Sequence, residues 1–131
     1  MPAQHKINDN TKLITTIWFG EAIDSELIDA LTKYQQDIKS QSNYFSYNEI
    51  VDFSKASSFK LSTQGIMRLA HIATNTDKQG VKTKLAIVVN NPLAFGLGRM
   101  YGTYRSLVPS GLKDVRVFMS SRDALEWIEK K

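Results

Sequence analysis

The sequence contains no cysteine, which excludes disulfide bonds, thiolate metal sites and cysteine nucleophiles. Its two histidines, His5 and His71, are predicted to be surface residues, and with no carboxylate cluster beside them they predict neither a metal site nor a cofactor. No apolar run approaches the roughly 20 residues of a membrane-spanning helix, and the polar N-terminus lacks the apolar segment of a secretory signal. These absences favour a cytoplasmic protein without integral membrane association.

The excess of basic residues is small, 17 against 13 acidic residues, for a formal net charge of +4. Nucleic-acid-binding domains usually gather their basic residues into a stripe. Here the lysines are scattered, and the nearest approach to a cluster is Lys78, Lys82 and Lys84. We therefore interpret the charge as a solvated surface and predict no nucleic-acid partner.

The chain nevertheless has enough apolar residues for a core, with 131 residues and a hydrophobic fraction of 42%. Strand and helix patterns alternate along it, which predicts a single α/β domain over residues 1–131. Strands are expected at 3–8, 12–19, 48–53, 84–89 and 115–118, and helices are expected to begin at Asp24 or Ser25, at Ser62, after Pro92 and at Ser120. This alternation predicts a mainly parallel sheet of four to five strands, with helices on both faces and an antiparallel hairpin at its N-terminal edge.

The segment from Lys84 to Arg105 carries the strongest signal. Its continuous apolar run at 85–89 indicates a strand that is covered on both faces. Asn91 and Pro92 follow, and they are well suited to the cap and the first position of a helix. We expect this strand to lie inside the sheet and to run in the same direction as the strand that ends near Asp52.

The predicted third helix contains glycines, each of which costs roughly 1 kcal/mol relative to alanine in a helix. Ala94, Gly98 and Gly102 recur every four residues and form a smooth ridge. The ridge indicates close packing within the chain or a homodimer seam. A phosphate-binding loop is a third interpretation, although the spacing does not match the dinucleotide fingerprint.

The larger residues of the third helix divide into two sets. A buried stripe is predicted from Leu93, Leu97, Met100 and Tyr104. The candidates for ligand or partner contact are Phe95, Arg99 and Tyr101, with Phe95 and Arg99 on one exposed side of the helix.

Further candidates lie where strands end and where the second helix begins. Ligands of open α/β sheets bind outside the carboxyl ends of the strands, which here are marked by Asp52, Asn90 and Asn91. Turn and cap hydrogen bonds are the alternative role for these three residues. Ser62 and Thr63 begin the second helix, where they serve either as a helix cap or as a phosphorylation site.

The chain resembles the anti-sigma-factor antagonists, known as the STAS or SpoIIAA-like superfamily, and in outline the lipid-binding CRAL-TRIO domains. The segments that carry this resemblance are 50–54, 62–66, 85–89, 95–101, 115–118 and 124–128. In members that act as phosphorylation switches, an Asp-Ser-Ser-Gly box opens the second helix and a partner kinase phosphorylates its serine. The matching stretch here departs from that box, because Leu61 replaces the aspartate and Gln64 precedes the glycine.

No catalytic motif is present, since the sequence has no G-x-S-x-G elbow, Walker loop or H-E-x-x-H pair. An enzyme would need a cluster of titratable groups in a pocket, which the residue spacing does not predict. The resemblance implies a non-enzymatic regulatory or protein-interaction domain, whose partner is another protein or a second copy of the chain. The alternative is a binding module for a small apolar or anionic ligand, a lipid or a nucleotide, at the carboxyl ends of the strands.

Overall fold

The structure is a computed structural model that describes residues 2–77, 81–107 and 112–130. Lys78 of the predicted basic cluster therefore lies outside the described residues. Within these ranges the elements are β1 (Ala3–Asn8), β2 (Leu13–Trp18), β3 (Gly20–Ile23), α1 (Asp24–Ile38), β4 (Asn48–Asp52), β5 (Ala56–Lys60), α2 (Thr63–Ala73), β6 (Lys82–Val88), α3 (Pro92–Ser106), β7 (Leu112–Phe118) and α4 (Ser121–Glu129), with short 3-10 helices at Ser42–Ser46 and Thr74–Thr76.

The main sheet has five strands in the order β1-β2-β4-β6-β7. β1 and β2 form the antiparallel hairpin at the edge, and the other neighbours are parallel. The apolar strand β6 lies between β4 and β7, and Leu85 is opposite both Glu49 and Val115. The predicted α/β class, the mainly parallel sheet and the interior position of this strand are therefore confirmed.

A second sheet, formed by the parallel pair β3 and β5, was not predicted. β3 has only four residues, and β5 has the sequence ASSFK, so neither shows an apolar run or a regular alternation. Phe59 of β5 nevertheless packs against the core beside Phe53, with ring centroids 5.7 Å apart. One large aromatic side chain, together with the small apolar Ala56, thus anchors a strand whose other residues are polar.

Alternation along the strands directs side chains to two different helical layers. On one face, Ile50 and Val88 pack against Ala124 and Trp127 of α4. On the other face lie α1, α2 and α3, here called the three-helix layer, in which α2 packs between its two neighbours. Val51 belongs to this second face. The predicted helices on both faces are confirmed.

The ridge of α3 packs against the chain's own sheet. Ala94 is only 2% exposed, and a Cβ added to Gly98 would lie 2.9 Å from Cγ2 of Val117. A Cβ on Gly102 would lie 3.5 Å from Cγ1 of Val115. Close packing is therefore the role of the ridge, and a homodimer seam would need another surface.

The predicted buried stripe of α3 is wrong at its first residue, because Leu93 is 63% exposed. Leu97, Met100 and Tyr104 are half-buried. The physical reason is that Ala94, Gly98 and Gly102 let the helix axis of α3 come closer to the sheet than large side chains would. The face of α3 with small residues therefore packs on the sheet, although the other face has larger apolar side chains.

Three of the four α-helices begin with the predicted caps. The side chains of Ser62, Asn91 and Ser120 accept backbone N–H bonds at the starts of α2, α3 and α4. The helix α1 begins at Asp24, as predicted, but the expectation that Asp24 or Ser25 caps it is wrong, because the cap position is Ile23 and no side chain caps the helix. Asp24 is the first residue of α1, and its carboxylate bonds elsewhere.

Candidate functional site

A cavity of about 170 Å³ lies between the main sheet and the three-helix layer. Its walls come from strands β1, β2, β4, β5 and β6 and from helices α1, α2 and α3. Most of the lining is aliphatic or aromatic, including Trp18, Leu69 and Ile87. Because protein interiors rarely leave voids larger than a water molecule, a space of this size is a specific feature of the fold.

Small and large residues both line the cavity. Ala30 of α1 and Ala94 and Gly98 of α3 contribute little or no side chain to the lining. Among its large residues, Phe53 contacts Trp18 with ring centroids 6.2 Å apart.

Polar side chains gather at one end of the cavity. Glu49 projects from β4, and its Oε1 accepts a hydrogen bond from Nζ of Lys113 at 2.6 Å. Its Oε2 accepts a hydrogen bond from the hydroxyl of Tyr34 at 3.2 Å. The Lys113 side chain is 8% exposed and that of Glu49 is 24% exposed, so the ion pair is largely removed from water.

His5 lies at the rim of this polar group, on edge strand β1. Its Nδ1 is hydrogen-bonded to Oγ1 of Thr16 at 2.7 Å, and its ring lies against that of Tyr34 with centroids 4.8 Å apart. Partial burial lowers the pKa of His5, while the charges of Asp37 and Glu49 act in the opposite direction. His5 is exposed, as predicted, but it also lines the cavity.

Two phenols of the lining have raised pKa values. Burial is the main reason that the pKa of Tyr34 is raised, and the nearby negative charge of Glu49 raises it further. Burial also raises the pKa of Tyr101 to about 12. Both hydroxyls therefore keep their protons near neutral pH and remain hydrogen-bond donors.

A second buried ion pair lies near Tyr101, at the end of α3. Arg105 donates two hydrogen bonds to Asp77, at 2.7 and 2.8 Å, and both side chains are almost fully buried. This fork-to-fork geometry ties α3 to the segment that follows α2. The two ion pairs, Arg105 with Asp77 and Lys113 with Glu49, place equal numbers of positive and negative charges around this part of the core.

Asp52, Asn90 and Asn91, predicted at the carboxyl ends of the strands, lie near one another in the structure. Their side chains make hydrogen bonds of turns and of a helix cap. Asp52 accepts the N–H of Ser54 at 2.8 Å, and Asn90 donates to the Ser54 carbonyl at 2.9 Å. Asn91 caps α3 by accepting the N–H of Ala94 at 2.8 Å. None of Asp52, Asn90 and Asn91 lines the cavity. These three residues therefore have the turn and cap roles in this structure, and ligand binding by them stays a prediction.

The candidates on α3 have three different environments. Phe95 packs partly into the core beside β6, and Arg99 is exposed, so the predicted exposed pair does not form. Tyr101 lines the cavity. Among the three predicted contact residues of α3, Tyr101 is the one that the structure places in the cavity wall.

The start of α2 is built around Asp24. Ser62 Oγ accepts the N–H of Gly65 at 2.9 Å and donates to Asp24 Oδ2 at 2.5 Å. The backbone N–H of Ser62 also donates to Asp24 Oδ1 at 3.1 Å. Thr63 is exposed. The capping role of Ser62 is confirmed, and phosphorylation of Ser62 or Thr63 stays a prediction.

Sequence reasoning missed the polar end of the cavity, because Glu49 and Lys113 are 64 residues apart. One local signal was present, since Glu49 is the only charge in the strand at 48–53 before Asp52. A charged residue within an apolar strand needs a partner when it is buried. The position of Glu49 in the sequence gives no indication that Lys113 is this partner.

Among the helices that the structure describes, none is long and apolar enough to cross a membrane.

No protein-family model matches the chain, and no curated protein matches it. Among solved structures, the chain is similar to an uncharacterised protein of the DUF3478 family from Shewanella loihica PV-4, which is described as having a SpoIIAA-like fold. The sequences are 13% identical, the TM-score is 0.60, and the match covers 96% of this chain and 93% of the other. Nothing in this match supports the resemblance to CRAL-TRIO domains. The sheet order, the mixed strand directions and this likeness together show that the chain has a SpoIIAA-like α/β fold.

Proposed function

We propose that this protein binds a small, uncharged and mainly apolar molecule in the interior cavity and does not act as an enzyme. The observation that carries the proposal is the apolar space of about 170 Å³ between the sheet and the three-helix layer. Apolar lining atoms with no protein atoms packed against them lose dispersion contacts, which costs stability. An apolar ligand would restore those contacts.

The volume limits the size of the ligand. Engineered apolar cavities of about 150 Å³ stay dry and bind benzene, whereas drug-sized pockets are about 300–1,000 Å³. The cavity, at about 170 Å³, therefore suits one ring with few substituents. A nucleotide or a long-chain lipid, both of which were considered from the sequence, could place only a part of itself in this space.

The charges around the cavity favour an uncharged ligand. Glu49 is paired with Lys113, and Arg105 is paired with Asp77. A charged ligand would bring an extra charge into an apolar space, where an unpaired charge is very costly. The anionic ligand considered from the sequence is therefore disfavoured.

Binding of benzene and toluene tests the proposal directly. A ligand that binds only the folded protein adds about 2.7 kcal/mol to the free energy of unfolding when its free concentration is 100 times Kd. This added stability raises the melting temperature. We expect both probes to raise the melting temperature of the wild-type protein and to shift methyl NMR signals of Leu69 and Ile87, which line the cavity. The absence of both effects would overturn the proposal.

A cavity-filling variant supplies the matched comparison. Ala30→Leu adds volume to a residue of α1 that lines the cavity, whereas Gln36→Leu makes an apolar addition at an exposed position of the same helix. We expect Ala30→Leu to lose toluene binding and Gln36→Leu to keep it. Equal binding by the two variants would place the toluene outside the cavity.

The regulatory or protein-interaction role is the second candidate. Its support is the SpoIIAA-like fold together with large apolar side chains that are exposed at Leu93, Leu107 and Met119. If these residues form a seam between two copies, light scattering during size exclusion will give a dimer mass that Leu93→Ser or Met119→Ser reduces. A monomer at all concentrations would remove the homodimer from this candidate.

A further inference from the structure

We infer that the occupant of the cavity is an aromatic molecule with one uncharged hydrogen-bond donor, a phenol-type hydroxyl or an indole-type N–H, and that Glu49 accepts this donor. The inference rests on the proposed function and names the class of ligand for the same site. Three features of the cavity carry it: the position of its polar groups, the free capacity of Glu49 and the aromatic walls.

The polar lining groups lie together. His5 is opposite Thr16 in the β1–β2 pair, and Ile14, two residues before Thr16, is opposite Glu49 in the β2–β4 pair. Tyr34 of α1 connects the group, because its ring lies against His5 and its hydroxyl bonds Glu49. His5, Thr16, Tyr34 and Glu49 thus form the polar end of the cavity. A ligand with one polar group would be oriented with that group toward this end.

Glu49 has acceptor capacity left at this end. An ionised carboxylate has about four lone-pair sites, and the described residues give Glu49 two hydrogen bonds. The bond from Lys113 to Oε1 is short, at 2.6 Å. The bond from Tyr34 to Oε2 is 3.2 Å, well beyond the usual ~2.7–2.8 Å for O–H···O. A donor on the ligand would complete the hydrogen bonding of Oε2, whereas a ligand that only accepts would not.

The remaining walls favour an aromatic ring. Trp18, Phe53, Phe59 and Tyr101 line the cavity, and Trp18 and Phe59 both contact Phe53. Aromatic rings prefer offset or edge-to-face contacts with other rings, beyond the effect of the buried area alone. A planar ring with a single donor therefore matches both the walls and the polar end.

The test compares phenol with benzene in the wild-type protein and in Glu49→Leu/Lys113→Met, which replaces the ion pair with apolar residues. A hydrogen bond to a charged acceptor contributes about tenfold or more in affinity. We expect the double variant to lose phenol affinity by about that factor and to keep its affinity for benzene. The control is Glu126→Leu/Arg122→Met, which removes an exposed ion pair of α4 that does not line the cavity and should retain the wild-type preference for phenol.

Each result separates the two proposals. If neither benzene nor phenol binds the wild-type protein, the proposed function fails and the inference fails with it. If both bind, and the ratio of their affinities is the same in the wild type and the double variant, the inference alone is overturned.

A spectroscopic measurement on the wild type covers the case in which the double variant does not fold. The ¹³C signal of the Glu49 carboxyl group should shift when phenol is added and should stay in place when benzene is added. Equal shifts with the two probes would also overturn the inference.

Discussion

Asp24 and Ser62 join the starts of two helices. The carboxylate of Asp24, the first residue of α1, accepts both the hydroxyl and the backbone N–H of Ser62, the cap of α2. It also lies over Gly65, where an added Cβ would come within 2.2 Å of the carboxylate carbon. A negative charge near the start of α2 is favoured by the helix dipole.

This contact makes Asp24 and Gly65 energetically coupled. We expect Asp24→Ala to lower the free energy of unfolding by about 1–2 kcal/mol, because the Ser62 hydroxyl and N–H lose their acceptor. Gly65→Ala should also destabilise the protein, since its Cβ overlaps the carboxylate. Chemical denaturation of the two single variants and the double variant measures the coupling. Strictly additive effects would contradict a direct contact, because contacting residues show an interaction energy.

The glycines of α3 should respond in opposite directions to alanine. Gly98→Ala places a Cβ 2.9 Å from Val117, so overpacking should cost about 1–3 kcal/mol. Gly96→Ala meets nothing within 4 Å and should stabilise the protein by about 0.5–1 kcal/mol through helix propensity. Thermal denaturation of the two variants distinguishes these effects. A Gly98→Ala protein as stable as the Gly96→Ala protein would show that α3 does not pack closely on β7.

His5 should make stability depend on pH in the mildly acidic range. Burial lowers its folded-state pKa below the ordinary value of 6.5, so the folded protein binds fewer protons than the unfolded chain between these two values. The contribution of the neutral ring is therefore complete above pH 6.5 and is lost as the pH falls through the folded pKa. Urea denaturation at several pH values should show a smaller decline for His5→Gln than for the wild type, with His71→Gln as the control. Identical declines for His5→Gln and the wild type would contradict this assignment.

Lys84 holds the end of α4 against the sheet. Its Nζ donates to the carbonyl oxygens of Trp127 and Lys130 and lies 5.2 Å from the centroid of the Trp127 ring. We expect Lys84→Met to lower the free energy of unfolding by about 1–3 kcal/mol, because these carbonyls lose a charged donor. The fluorescence of the two tryptophans, Trp18 and Trp127, during denaturation measures the change. Lys82→Met, at an exposed position of the same strand, is the control, and an equal loss there would point to a general effect of charge.

The sheet could be predicted from local patterns. The apolar run at 85–89 indicated a strand covered on both faces, and the cap residues Ser62, Asn91 and Ser120 indicated where three helices begin. These signals lie in adjacent residues, and each has a direct physical cause. β5 was missed because its only large apolar residue is Phe59, and the contact of Phe59 with Phe53 forms only in the folded chain.

The candidate site was predicted much less well than the fold. The general rule for open α/β sheets directed attention to Asp52, Asn90 and Asn91, which the structure assigns to turns and a cap. Tyr101 was the predicted contact residue that lines the cavity. The sequence contains no signal for an empty volume, because a void depends on how far the helices stand from the sheet.

The sequence by itself determined the alternation of strands and helices in the main sheet, the interior strand at 85–89 and three helix caps, because these depend on neighbouring residues and on a regular period. Only the tertiary structure decided which face of α3 meets the sheet, that Glu49 finds Lys113, and that a cavity remains beneath the helices. These features depend on distances between side chains far apart in the chain. Such distances are set when all the elements pack together.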